Sequence, residues 1–252
     1  MDRYGQFCPI AKALELIGSR WTPLILRELL AGSCRFSELQ RSIPLISRSL
    51  LTQRLRQMEE DGLLTATEKM TGRGFEYRLT ASGFAALPVL EALAEWGLRF
   101  AQGRITPEDC DPAQMMWAIR RHAERNSLPD RRFVIRFEFR NLPPSRRSMT
   151  TWWLIWDRSE FDHCLDNPGY EVDLVVNTLI DTFARVWMGG IGLTEALRVG
   201  AIRFEGALAA RQTFIEMLDF RPHSCVKVFR LTAPEPSVRY PQPAEAPLEL
   251  RP

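Results

Sequence analysis

The most constraining feature of this chain is a change of apolar period between residues 35 and 79, from helical spacing to alternation. In "RFSELQRSI" the residues Phe36, Leu39 and Ile43 recur at helical spacing, and Pro44 then interrupts. Ser47 is placed to cap a second helix in "SRSLLTQRLRQMEEDGLL", where Leu51, Leu55, Met58 and Gly62 share one stripe. Two further helical patterns, "IAKALELIG" and "WTPLILRELL", precede this pair. Directly after it, "LLTATEK", "MTGRG" and "FEYRLT" read as two strands joined by a glycine-rich tip. Helix, short turn, helix and hairpin in that order describe a winged helix-turn-helix.

The second helix of the pair carries its charge unevenly. Arg48, Arg54 and Arg56 occupy its first turns, and Glu59, Glu60 and Asp61 end it. Opposite the apolar stripe stand Ser49, Gln53 and Arg56, with Arg48 and Thr52 beside them. Placed in a major groove, Ser49, Thr52, Gln53 and Arg56 reach base edges, and Arg48 or Arg54 meets phosphates. The acidic end must then point away from the duplex or pair with bases inside the protein. A solvated surface face is the plain alternative, and for Arg54, toward the core side, so is an internal ion pair. Arg73, between Gly72 and Gly74 at the hairpin tip, suits a narrow minor groove or a solvated loop.

Charge distribution agrees with a polyanion partner on the first half. Residues 1–106 hold 14 Lys and Arg against 11 Asp and Glu, whereas residues 107–252 hold 19 against 20, within a chain of net charge +2. No apolar stretch approaches the length of a membrane span, no membrane partner is expected, and a cytoplasmic location is. The five cysteines are widely spaced with no C-x-x-C pair, so neither a disulfide framework nor a metal site is expected. No cofactor is expected either, because the glycines show no G-x-G-x-x-G or P-loop spacing.

Two breaks divide the chain. "GRITPEDCDP" at 103–112 reads as a linker, and residues 231–252 form a proline-rich tail. The expected units are therefore 1–103, for DNA binding and dimerisation, and 113–230. The second unit mixes a helix in "AQMMWAIRRHAERN", strands in "RRFVIRFEF", "TTWWLIWD", "YEVDLVVNT" and "AIRFEG", and helices in "LIDTFARVWMG" and at its end. Five of the seven tryptophans fall there, filling a core or lining a ligand pocket. The neighbours His163 and Cys164, and His223 near Cys225, lack an orienting third group, so no catalytic residue is assigned and the protein is not expected to be an enzyme.

The stretches "CPIAKALELIGSRWTPLILRELL", "RFSELQRSIPLISRSLLTQRLRQMEEDGLL" and "YRLTASGFAALPVLEALAEWG" resemble the HxlR-type winged-helix regulators over roughly the first hundred residues. The resemblance implies a site-specific transcription regulator acting as a homodimer. It also implies that "ASGFAALPVLEALAEWGLRFA" pairs with its copy, although the same stripe could cover its own core. A two-fold dimer calls for double-stranded DNA with an inverted-repeat operator. Cys8 matches a cysteine that senses oxidants in some such proteins, and a buried structural role is the alternative.

"YEVDLVVNTLIDTFARVWMGGIGLTEALRVGAIRFEG" resembles the sterol carrier protein type two-like fold. That implies an α+β domain with an apolar cavity, for which Trp152, Trp156, Phe183, Trp187 and Phe204 are the candidate lining residues. The expectation as a whole is an α+β protein, a winged helix-turn-helix joined to a sterol-carrier-like domain, that represses transcription in response to a small apolar effector. A hydrophobic-ligand or lipid carrier whose winged helix serves protein contacts is the alternative.

Overall fold

The computed structural model describes residues 3–68, 74–123, 131–157 and 160–218. Arg73, the proline-rich tail, His223, Cys225 and the last residues of the expected second unit lie outside them. The chain builds two hydrophobic clusters, one from residues 25–86 and one from residues 110–218.

The first cluster gathers helices α1 (Pro9–Ile17), α2 (Thr22–Leu30), α3 (Phe36–Ser42) and α4 (Arg48–Glu60), the hairpin β1 (Leu64–Glu68) and β2 (Phe75–Leu79), and α5 (Ala81–Ala85) and α6 (Leu87–Phe100). Local chemistry sets the helix ends. Prolines occupy the first turns of α1 and α2, where a missing N–H costs nothing. Glu38 Oε2 accepts the backbone N–H groups of Cys34 and Arg35 at 3.0 Å, closing the start of α3. Ser47 Oγ accepts from the Leu50 N–H at 3.2 Å, as a helix cap should. Gly62, at φ 72°, ends α4 in the left-handed conformation and lets the Leu63 N–H reach the Met58 carbonyl at 2.8 Å.

Strand β2 pairs antiparallel with β1 from Leu64↔Leu79 to Glu68↔Phe75. On its other edge, the Tyr77 N–H donates to Cys34 O at 2.8 Å, and a bridge joins Arg35 to Glu76. The hairpin is thereby tied to the α2–α3 connection. The apolar segment after the hairpin is divided at Ala86, before Pro88, into α5 and α6.

The second cluster lies under a five-stranded sheet formed by β3 (Phe133–Arg140), β4 (Thr151–Asp157), β5 (Glu160–Cys164), β6 (Leu174–Leu179) and β7 (Ile202–Gly206). Its order is β5-β4-β3-β6-β7, antiparallel throughout except for the central β3–β6 pair. Alternation sends Phe133, Ile135, Phe137 and Phe139 to one face. That face is covered by α7 (Pro112–Ala123), α8 (Ile180–Trp187), α9 (Leu193–Arg198) and α10 (Leu208–Leu218). Phe137 meets Phe183 edge-on at 5.3 Å and Phe214 at 5.9 Å. The opposite face carries polar pairs, such as Arg136 with Glu138 at 2.9 Å and Asn177 with Glu205 at 2.9 Å.

The segment read as a linker is not a loose tether. It forms short 3-10 turns at Gln102–Arg104 and Pro107–Asp109 and buries Cys110. Arg146 donates to the carbonyls of Glu108 and Cys110 at 3.0 and 3.2 Å, and Arg185 donates to that of Ile105 at 3.0 Å. Burial among these groups pushes the Cys110 thiol up to about 11, with Asp181 and Asp109 contributing in the same direction.

Candidate nucleic-acid interface

Helix α4 is held from behind and open in front. Leu51, Leu55 and Met58 are buried against Ile25, Leu39 and Ile43, so the helix cannot roll without opening the first core. Arg48, Ser49, Gln53 and Arg56 are exposed, and Thr52 is half-buried. The Ser49 hydroxyl lies 3.1 Å from that of Ser47, and Thr52 Oγ1 donates to the Arg48 carbonyl at 2.9 Å. The Arg48 guanidinium sits 5.6 Å from the centre of the Phe36 ring. The Phe36 ring, which also packs against the first core, thus lies beside a candidate phosphate contact.

Arg54 is half-buried, and it has no ion pair with an internal acid among the described residues. The acidic end of α4 has a structural task. Glu59 Oε1 accepts the backbone N–H of Ala66 in β1 at 2.9 Å, and Gln57 donates to Asp61 at 3.1 Å. Glu59 therefore fastens the hairpin to the helix, which accounts for an acid on that turn. Of the residues singled out for DNA, Arg48, Ser49, Thr52, Gln53, Arg54 and Arg56 lie on α4, and Arg73 lies outside the described residues.

The aromatic residues singled out in the second half separate into two groups. Trp152, Trp156 and Phe183 lie inside the closed core beneath the sheet. Trp152 donates Nε1 to Met149 O at 3.0 Å, and Trp156 packs against Phe161 at 5.8 Å. Trp187 is half-buried at the margin of the same core. Phe204 lines an open groove of about 730 Å³, with Leu197, Ile202, Leu208 and Ile215 beside charged side chains that include Arg203, Glu205 and Arg211. The register explains this division. Trp152 and Val176 flank Phe137 in adjacent strands inside the core, and Phe183 of α8 packs on Phe137, whereas β7 is an edge strand.

His163 on β5 stacks on Trp152 at 6.0 Å, with its Nδ1 buried and without a hydrogen-bond partner. Burial pushes its imidazole below the usual value; Arg120 adds to the effect, Asp162 opposes it, and Arg41 adds again. With the native value depressed, the unfolded chain takes up this proton first as pH falls. Stability present above about pH 6.5 should therefore be lost progressively below it. In thermal unfolding between about pH 7 and pH 5, His163→Phe is expected to flatten part of the decline.

Cys8 is half-buried at the start of α1. Lys12, the neighbouring base, is engaged with Glu15 at 3.0 Å. Among the described residues, no group of three or more His, Cys, Asp or Glu side chains could hold a metal ion, and no helix is long and apolar enough to cross a membrane.

Residues 16–104 match the family model described as HxlR-like helix-turn-helix. An uncharacterized helix-turn-helix-type transcriptional regulator of Methanothermobacter thermautotrophicus is 40% identical over 98 residues, which are 38% of this chain and 72% of that protein. The regulator YvaP of Bacillus subtilis, similarly described, is 36% identical over 94 residues, covering 36% of this chain and 87% of that one. Among solved structures, the reduced form of the transcriptional regulator YodB from B. subtilis aligns at 31% identity. That alignment covers 38% of this chain and 95% of that one, with a TM-score of 0.34.

Proposed function

Since the chain belongs to the HxlR-like helix-turn-helix family, whose matched relatives are transcriptional regulators, we propose that it is a cytoplasmic regulator that reads double-stranded DNA as a homodimer. The observation that carries this reading is the exposed row Arg48, Ser49, Gln53 and Arg56 on a helix whose other side is locked into a core. Such a helix is rigid where it must be and free where bases would lie. A homodimer presents two copies of α4 to an inverted repeat with half-sites about 34–36 Å apart. The dimer reading draws support from α6, which leans on the first core through Leu90 but exposes Val89, Leu93, Trp96 and Phe100.

The duplex for the test is one recovered bound to the protein from genomic DNA. Arg56→Ala should cost about 1–3 kcal/mol of specific binding if the guanidinium reads a base. Affinity should also fall steeply as salt rises, because displaced counterions drive phosphate contacts. Unchanged affinity in both Arg56→Ala and Arg73→Ala would favour the carrier alternative.

The second unit, from residue 113, is proposed to be sterol-carrier-like and to bind a small apolar effector that relieves repression. Support comes from its five-stranded sheet with helices on one face and from the open groove beside Phe204, whose lining mixes apolar with charged side chains. An effector that favours a dimer geometry mismatched to the half-sites weakens DNA binding by its differential affinity for the two states. Cys8 is proposed as an oxidant sensor. A loss of DNA binding on peroxide treatment should disappear in Cys8→Ser, and a response that survives the substitution excludes this thiol.

A further inference from the structure

Helix α7 engages both halves of the protein. Met115, Met116, Ile119 and Ala123 are buried in the second core. Gln114 and Trp117, three residues apart and hence on one side of the helix, reach across to α3. Gln114 Nε2 donates to the Ser42 carbonyl at 2.9 Å, and Trp117 Nε1 donates to the Ser42 hydroxyl at 3.0 Å. The guanidinium groups of Arg41 and Arg120 lie 4.9 and 5.7 Å from the Trp117 ring centre. Ser42 itself is only 3% exposed.

Ser42 is the last residue of α3, and its carbonyl is one of those that a helix end leaves without an intrahelical partner. The end of α3 is therefore closed by a side chain from the other half of the chain. From Ser42 the backbone needs only residues 43–46 to reach Ser47, the cap of α4. That turn has little slack. Pro44 fixes its own φ, Ile43 and Ile46 are buried, and Gln40 Nε2 donates to Ile46 O at 2.7 Å. A displacement of Ser42 is thus passed on to the start of α4 rather than absorbed.

We infer that Gln114 and Trp117 are positioning residues for DNA reading: acting through Ser42, the second unit sets the placement at which α4 is presented. The inference rests on the proposed DNA reading and adds to it a route within one subunit, independent of dimer geometry. Linkage makes the effect reciprocal, so DNA that selects one placement of α4 also stabilises α7 and the sheet beneath it.

The test uses full-length protein and the duplex recovered from genomic DNA, with affinity read by fluorescence anisotropy and hydrogen exchange followed in β3 (133–140). In the wild type the duplex should slow β3 exchange several-fold. Trp117→Phe keeps a ring but loses the N–H, and Ser42→Ala loses the acceptor. Each should lower affinity about 3- to 10-fold, the loss of roughly one hydrogen bond, and abolish most of the duplex-induced slowing. The dependence of affinity on salt should keep its slope, because no phosphate contact is removed. Exchange in β3 of the free variant that matches the free wild type shows that the fold is intact, and either substitution suffices if the other fails this check. Slowing equal to wild type in an intact variant overturns the inference, as does a wild type that binds the duplex without slowing. A wild type that retains no genomic duplex at all overturns the DNA reading and this inference together.

Discussion

With glutamate in place of both Leu93 and Trp96, the protein is expected to sediment as a monomer and to bind a two-half-site duplex about 10²- to 10⁴-fold more weakly, as befits loss of bivalency. Leu93 is 54% exposed, Trp96 60% and Phe100 61%, and Trp96 leans on Phe100 at 5.5 Å. A stripe of this size on one helix is costly to leave in water, and a second copy of the same stripe is self-complementary under two-fold symmetry. Because Leu93 and Trp96 stand on the exposed side of α6, away from Leu90, which packs on the first core, the substitutions should leave the subunit folded. Equilibrium sedimentation gives the mass and anisotropy the affinity. A doubly substituted protein that remains a dimer would show that another face holds the subunits together.

The largest effect on stability is expected from Phe137→Ala. Phe137 is fully buried at the centre of the sheet, between Trp152 in β4 and Val176 in β6, with the rings of Phe139, Phe183 and Phe214 within 5.9 Å. Removing it leaves a cavity walled by several rigid rings that cannot collapse together. A loss of about 3–5 kcal/mol is expected in denaturant unfolding followed by tryptophan emission, which reports chiefly on the second unit. A loss below about 1 kcal/mol would mean that this core repacks freely. The comparison residue is Phe204, which lines the open groove and whose truncation should cost clearly less.

Much of the first half is legible from residue order, because its rules are local. The helical stripe Leu51, Leu55 and Met58 and the Ser47 cap each act over three or four residues, and the structure places them as that logic requires, whereas Gly62, counted on the same stripe, lies past the helix end in the left-handed conformation. The second half is less legible. Strand β5 has only five residues and α9 six, too few for a period to assert itself. Which aromatic residues fill the core is decided by register: Trp152 and Phe204 face the same way, yet one is central and the other sits at an edge. The hydrogen bond between Trp117 and Ser42 spans 75 residues, and no pattern within either segment announces it. Glu59 shows the limit of charge reasoning. Its sign was read against DNA, whereas its carboxylate also serves a neighbouring strand.

The stretch between α6 and α7 has a consequence for how this chain can vary. Three of its carbonyls are gripped by guanidinium groups that belong to distant segments, Arg146 and Arg185. A spacer tolerates extra residues at small entropic cost, but here each added residue would pull a carbonyl off its donor. The two modules therefore meet at a joint of fixed length, and recombination that exchanged one half would have to carry this hinge-pin of arginines along with it.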